Sequence, residues 1–286
     1  MCAICGCSDS TETVITNLQT GRHVHLHDGH EHEHQRDHHH DHDDSHAHTH
    51  AHPHAYDPAL AHSDPHSRTI TVEQELLARN SQRAERNRGW FSGRNILALN
   101  LMSSPGAGKT TLLERTIRDL RSEMSFHVIE GDQATLKDAE RIRATGSSVV
   151  QINTGAACHL DAEMVGAALR QLNPPMNSTL FIENVGNLVC PALFDLGEQG
   201  RVVVASVTEG DDKPLKYPHM FRSTDLILLN KVDLLPYVDF RMDQFLKAAR
   251  QLNPKIQVLP ISAISGEGLR EWYVWMQSLL KCATER

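Results

Sequence analysis

Ser103-Ser104-Pro105-Gly106-Ala107-Gly108-Lys109-Thr110 has the spacing G-x-x-x-x-G-K-S/T, with Ser103 in place of the first glycine. In such a loop backbone N–H groups converge on phosphates, the lysine reaches the terminal pair and the hydroxyl coordinates magnesium, all at the positive end of a helix. These roles fall to Gly106, Gly108, Lys109, Thr110 and Thr111. Asn230-Lys231-Val232-Asp233 follows an apolar run and suits a guanine-reading N-K-x-D element, whose carboxylate accepts from N1 and N2 of the base. Facing adenine, that carboxylate would lose both donors at a cost of a few kcal/mol, which favours GTP over ATP. Ser262-Ala263-Ile264, after the next apolar run, supplies a second guanine contact through Ser262 and Ala263. Asp132 and Glu183, each ending a strand-like run, are the acidic candidates for holding magnesium with Thr110 and for assisting Lys109 in phosphoryl transfer. Asp138 is a weaker third candidate, since a helical carboxylate is commonly just solvated.

A second chemistry is written in sulfur and imidazole. Seventeen of the 20 histidines lie between His23 and His66, interleaved with Asp, Glu and Ala. Repeated H-x-H spacing lets a flexible chain wrap a nickel, copper, zinc or cobalt ion without a folded pocket. His38, His39, His40, His42, His46, His48, His50, His52 and His54 are the densest part and the expected storage ligands. Protons compete for imidazole below neutrality, so nickel retention should fall steeply from about pH 7.5 to 5.5; dialysis at stepped pH measures it, and flat retention would exclude imidazole as the main ligand. Cys2, Cys5 and Cys7 form C-x-x-C-x-C, and loss of Met1 would add an α-amine as a fourth donor. Cys158-His159 and Cys190 fall in loops expected near the terminal phosphate. Two thiolates and one imidazole leave a tetrahedral ion one ligand short, so water or a second copy of the chain must complete the shell.

The elements that position these groups alternate. Apolar runs at 96–101, 126–130, 149–152, 179–183, 202–207, 226–229 and 256–259 are predicted strands. Amphipathic stretches ending near Leu120 and Arg143, and at 160–172, 239–251 and 268–281, are predicted helices. The pattern indicates an α/β fold, a nucleotide-binding domain with a mostly parallel sheet flanked by helices. Residues 1–20 carry the cysteine motif and 21–68 form a histidine tract expected to be disordered without metal. Residues 69–94 read as a helical lead-in with Thr71 as N-cap and Val72, Leu76 and Leu77 on one face, and 95–286 as the nucleotide-binding domain. The ordered part is thus expected to begin near residue 70 or 95.

A net charge of −8 and the lack of a basic, aromatic-studded face argue against nucleic acid as a partner. No apolar run approaches the roughly 20 residues that span a bilayer, and no basic-then-apolar signal opens the chain, so no membrane role and a cytoplasmic location are expected. In a reducing cytosol clustered cysteines more often ligate metal than form disulfides, and Cys282 stands alone.

Long stretches of the chain resemble one family. They are the N-terminal C-x-x-C-G-C, EGDQ at 130–133, RIRATG at 141–146, NTGAACHLDAEM at 153–164, FIENVGNLVCPALFDLGE at 181–198 and SVTEGDDKPLKYPHMF at 206–221. The family is that of the nickel-inserting GTPases of nickel–iron hydrogenase maturation. The resemblance implies a dimerising GTPase of the signal-recognition/MinD-like class, with slow, regulatory hydrolysis. It delivers nickel to the hydrogenase large-subunit precursor together with HypA, a zinc metallochaperone. It also implies a high-affinity nickel site at Cys2, Cys5 and Cys7, and a nickel or zinc site at the dimer interface at Cys158, His159 and Cys190. Two alternatives remain open at this level: a nickel buffer whose working part is the histidine tract, and a related GTPase serving another nickel enzyme such as urease.

Overall fold

The computed structural model of the chain describes residues 13–27, 30–34, 65–133 and 135–284. Cys2, Cys5, Cys7 and His38 to His54 lie outside the described residues. The sheet has ten strands: β1 (Thr13–Asn17), β2 (His23–His27), β3 (His30–His34), β4 (Leu97–Ser103), β5 (Phe126–Asp132), β6 (Ser148–Asn153), β7 (Thr179–Glu183), β8 (Gly200–Ser206), β9 (Leu226–Asn230) and β10 (Gln257–Pro260). Their order across the sheet is β10-β9-β8-β4-β7-β5-β6-β1-β2-β3. From β10 to β6 all neighbours are parallel, whereas β1, β2 and β3 join antiparallel at one edge.

Alternation along β4 divides the core into two layers. Leu97, Leu99 and Leu101 pack with Val128, Phe181 and Val202 beneath α2 (Lys109–Leu120) and α8 (Leu269–Thr284). Ile96 and Ala98 pack with Ile129, Val150 and Ile182 on the opposite side, against α4 (Ala162–Leu172) and Phe91 of α1 (Pro65–Gly93). Every residue of β4 and β7 is buried, as expected for strands covered on both faces. The remaining helices are α3 (Lys137–Arg143), the short α5 (Lys213–Lys216) and α6 (Pro218–Arg222), and α7 (Met242–Leu252).

Two expectations are corrected here. Ordered structure begins before residue 70: β1 to β3 take up much of residues 13–34, so the start of the histidine tract is sheet. The physical reason is an available edge. Thr13-Val14-Ile15-Thr16 is short and rich in β-branched residues, β6 offers an unpaired side, and Ile15 becomes fully buried there. The second correction concerns α1, which starts at Pro65 and carries Thr71 inside it rather than at its N-cap. Proline at the first helical position is pre-organised and lacks only an N–H that would go unpaired anyway. Leu77, Asn80, Ala84, Asn87 and Phe91 recur at alternating steps of three and four and form the docking stripe, whereas Leu76 points away and is exposed.

Candidate functional site

Lys109 opens α2 directly after Gly108, which sits at φ 95°. A Cβ at Gly108 would lie 2.5 Å from Nδ2 of Asn230, so the loop requires glycine for both conformation and room. Ser103 ends β4 without a positive φ, which is why serine serves where the pattern has glycine. Its neighbour Ser104 donates to Glu209 Oε1 at 2.5 Å and accepts from Lys213 Nζ at 2.6 Å.

The cleft above this loop has a volume of about 500 Å³. Its walls include Gly106, Gly108, Lys109, Thr110 and Thr111, with Asp132, Asp138 and Glu183 opposite. Glu183 is almost wholly buried; its Oε1 accepts from Thr110 Oγ1 at 2.7 Å and lies 3.2 Å from Lys109 Nζ. Its Oε2 is buried with no hydrogen-bond partner among the described residues. Asp132 is tethered through Oδ2, which accepts from the N–H and hydroxyl of Thr135 at 2.9 and 2.8 Å. Asp138 is paired with Arg141 at 3.0 Å, in keeping with the solvated-helix reading.

Glu130 was not singled out by sequence, yet the parallel register sets it beside Glu183. Burial first, then the charges of Glu183 and Asp132, push its carboxyl up to about 9. The folded protein therefore holds a proton that the unfolded chain releases near pH 4.5, and stability falls as pH rises from there to about 9. Glu130→Gln should remove this dependence. In nucleotide- and magnesium-free protein the variant is expected to melt several degrees above the parent at pH 8 and level with it near pH 5. Parallel melting curves at both pH values would refute the shift.

The base-reading candidates are latched to the same loop. Asn230 donates to Ala107 O at 2.9 Å and accepts from the N–H of Ala263 at 3.0 Å, joining the phosphate loop to the Ser262-Ala263 turn. Lys231, in the left-handed region at φ 63°, donates to Gly106 O at 2.7 Å. Ser262 is buried and its Oγ accepts from Ser265 N–H at 3.0 Å. Asp233 is half-buried, with Oδ1 shielded from solvent and without a hydrogen-bond partner among the described residues.

Cys158, His159 and Cys190 come together as the sequence suggested, their ligand atoms all within 4.8 Å of one another. The two sulfurs are 2.9 Å apart. His159 stacks on Phe194 with centroids 3.9 Å apart, and burial holds its imidazole below the usual range against the opposing pull of Asp161. A neutral imidazole beside two thiols is a borderline-soft donor set suited to nickel or zinc. Helix α1 braces both supporting loops: Asn80 accepts from Ala162 N–H and donates to Asp195 O, and Asn87 donates to Ala162 O and Leu196 O.

Direct bonds join the cluster to the cleft. Thr154 N–H donates to Asp132 O at 2.9 Å, and Thr154 Oγ1 to Ala157 O at 2.7 Å, one residue before Cys158. Asn184, next to Glu183, accepts from Leu160 N–H at 3.2 Å, one residue after His159. Gly131 permits this closeness, since a Cβ there would meet Leu160 at 2.9 Å.

The chain is also similar to known proteins. Residues 97–260 match the model of the CobW/HypB/UreG nucleotide-binding domain. The hydrogenase maturation factor HypB of Escherichia coli K12 is 55% identical over 216 residues, 76% of this chain and 74% of that one. The chain belongs to the HypB family of hydrogenase maturation factors. A HypB from Cupriavidus necator is 43% identical over 320 aligned positions, 96% of this chain and 88% of its own length. The crystal structure of HypB from Helicobacter pylori in complex with nickel is 38% identical, covers 72% of this chain and 96% of that one, and superimposes with a TM-score of 0.67. Among the described residues no helix is long and apolar enough to cross a membrane.

Sequence reasoning missed Glu130, Glu209 and Lys213 within this HypB-family site. All three lie in stretches that carried the family resemblance, EGDQ and SVTEGDDKP, so a signal was present without a role attached to it.

Proposed function

We propose that this HypB-family chain is a cytoplasmic nickel metallochaperone and GTPase that couples GTP binding and slow hydrolysis to delivery of nickel into the hydrogenase large-subunit precursor. One observation carries the reading: the loops leaving Asp132 and Glu183 are hydrogen-bonded to the segment holding Cys158 and His159. A change in how those carboxylates are engaged is therefore felt at the metal ligands. GTP can drive release only to the extent that nickel affinity differs between the two states, about 1.4 kcal/mol for each factor of ten.

Lys109 and the N–H groups of the loop around Gly106 and Gly108 would stabilise charge on the terminal phosphates. Asp233, with Ser262 and Ala263 behind it, would select guanine. Magnesium fits the cleft because Glu183 offers a buried oxygen without a partner among the described residues, next to the Thr110 hydroxyl, with Asp132 at the rim. It would neutralise phosphate charge when bound. Cys158, His159 and Cys190 would take nickel, or zinc, as cargo, and a homodimer would supply the missing ligand. HypA is the expected zinc-carrying partner. Cys2, Cys5 and Cys7 would form a second tight nickel site, with His38 to His54 as a store.

The deciding experiment removes the store and counts nickel. Because β2 and β3 belong to the sheet, the deletion should take residues 35–64 and spare 13–34. After dialysis against a weak chelator, nickel per chain is expected to differ between GDP and a non-hydrolysable GTP analogue. Identical occupancy would sink the coupling and leave the nucleotide to govern partner docking.

A further inference from the structure

The cleft has to accept a polyanion although Glu130, Asp132, Asp138 and Glu183 all line it. Among the described residues three cationic side chains line it with them: Lys109, Lys231 and Arg141. Lys109 lies 3.2 Å from Glu183 at the magnesium end, and Lys231 donates to Gly106 O. Arg141 opens the RIRATG stretch and has no part in either the phosphate-loop or the guanine-reading pattern.

The Arg141 guanidinium reaches from α3 across to the first turn of α2. Its Nη2 donates to Thr111 Oγ1 at 3.1 Å and to Glu114 Oε2 at 2.7 Å, and its Nη1 donates to Asp138 Oδ1 at 3.0 Å. Carboxylates on two sides therefore hold the planar group in place before any ligand arrives. Those bonds occupy both hydrogens of Nη2 and one of Nη1, so Nε–H and the second Nη1 hydrogen are left open among the described residues.

Thr111 fixes where along a nucleotide this cation stands. The terminal phosphates belong at Lys109, Thr110 and Glu183, and the base at Asp233 and the Ser262-Ala263 turn. One helical turn beyond Thr111, Arg115 donates to Ile264 O, in that base-reading turn, at 3.2 Å. Residues four apart share a helix face, so Thr111 is on the side of α2 that runs from the magnesium end toward the base. In a guanosine di- or triphosphate the α-phosphate occupies that interval.

We propose that Arg141 is a nucleotide-binding residue that takes an α-phosphate oxygen with an N–H its carboxylate partners leave open. The proposal rests on reading the cleft as a guanine-nucleotide site. The contact is charge-assisted and is made equally to GTP and GDP, so it sets how tightly both are held and not how fast one becomes the other.

The test titrates the full chain, with magnesium, with GDP, a non-hydrolysable GTP analogue and the two diastereomers of GDPαS, in which sulfur replaces one or the other α-phosphate oxygen. Arg141→Gln is expected to weaken GDP and the GTP analogue alike, by roughly ten- to a hundredfold, and to leave kcat within about threefold. The ratio of affinities for the two diastereomers should change by about fivefold or more, because the isomer with sulfur toward Arg141 has already lost the contact. Arg141→Lys, which keeps the charge without the planar fork, should recover part of the affinity. Glu114→Gln separates contact from architecture: it breaks the 2.7 Å tie between α2 and α3, keeps the guanidinium, and should leave the diastereomer ratio of the parent. Unchanged GDP affinity in Arg141→Gln, a loss confined to the GTP analogue, or a loss that keeps the parent's diastereomer ratio overturns the proposal. A parent chain that binds no GDP overturns both the proposal and the reading of the cleft beneath it.

Discussion

Asp233→Asn is expected to weaken GTP binding by roughly a hundred- to thousandfold and to make xanthosine triphosphate the better ligand. The loop that presents Asp233 is fixed from both sides, since Lys231 donates to Gly106 O and Asn230 bridges Ala107 and Ala263. Asp233 Oδ1 is shielded yet accepts no hydrogen bond among the described residues, so substitution breaks no bond there. What changes is the face shown to the base. A carboxylate accepts from both N1–H and the 2-amino group of guanine. Asparagine keeps one acceptor but sets an N–H donor against the 2-amino group, where xanthine has an oxygen. Loss of a charged two-point contact is worth about 3 kcal/mol or more, and the repulsion of two donors adds to it. Calorimetric titration with the two triphosphates measures the switch. An unchanged preference for GTP would mean that the base is read elsewhere.

The strand, loop and helix around Lys109 were legible because the apolar runs are long relative to their flanks and glycine and lysine occupy fixed offsets. Strand β7 was placed at 179–183 from sequence and found at Thr179–Glu183. The cysteine cluster was legible as a pairing of two loops, since both follow strands whose carboxyl ends must meet in a parallel sheet. Glu130 was not, because its proximity to Glu183 depends on β5 lying next to β7, and strand order cannot be read from alternation alone. The edge strands were hidden for a different reason. Histidine and glutamate are indifferent strand formers, and what makes β2 and β3 strands is the edge provided by β6 and β1, over a hundred residues apart in sequence. The Asp28-Gly29 step between two H-x-H-x-H runs was the available signal, masked by the low complexity around it.

The same dependence on distant strands gives the cysteine cluster its sharpest test. In a chain lacking residues 35–64, with Cys2, Cys5 and Cys7 changed to serine, nickel binding is left to the folded domain and its edge ribbon. Adding Cys158→Ser and Cys190→Ser is expected to lower nickel affinity at the folded cluster by at least about a hundredfold, because a serine hydroxyl neither ionises near neutrality nor offers a soft donor. GTP affinity should stay within about threefold, since the bonds joining cluster to cleft run through the backbone at Thr154 and Leu160 and through Asn184, and not through sulfur. Any difference in nickel occupancy between GDP and the GTP analogue should disappear with the thiols. If that difference survives, the ion responding to nucleotide is held elsewhere and the 2.9 Å thiol pair is a packing contact. If GTP binding collapses as well, the loops carry nucleotide and metal as one unit, and occupancy of the cluster should itself change nucleotide affinity by the reciprocal factor.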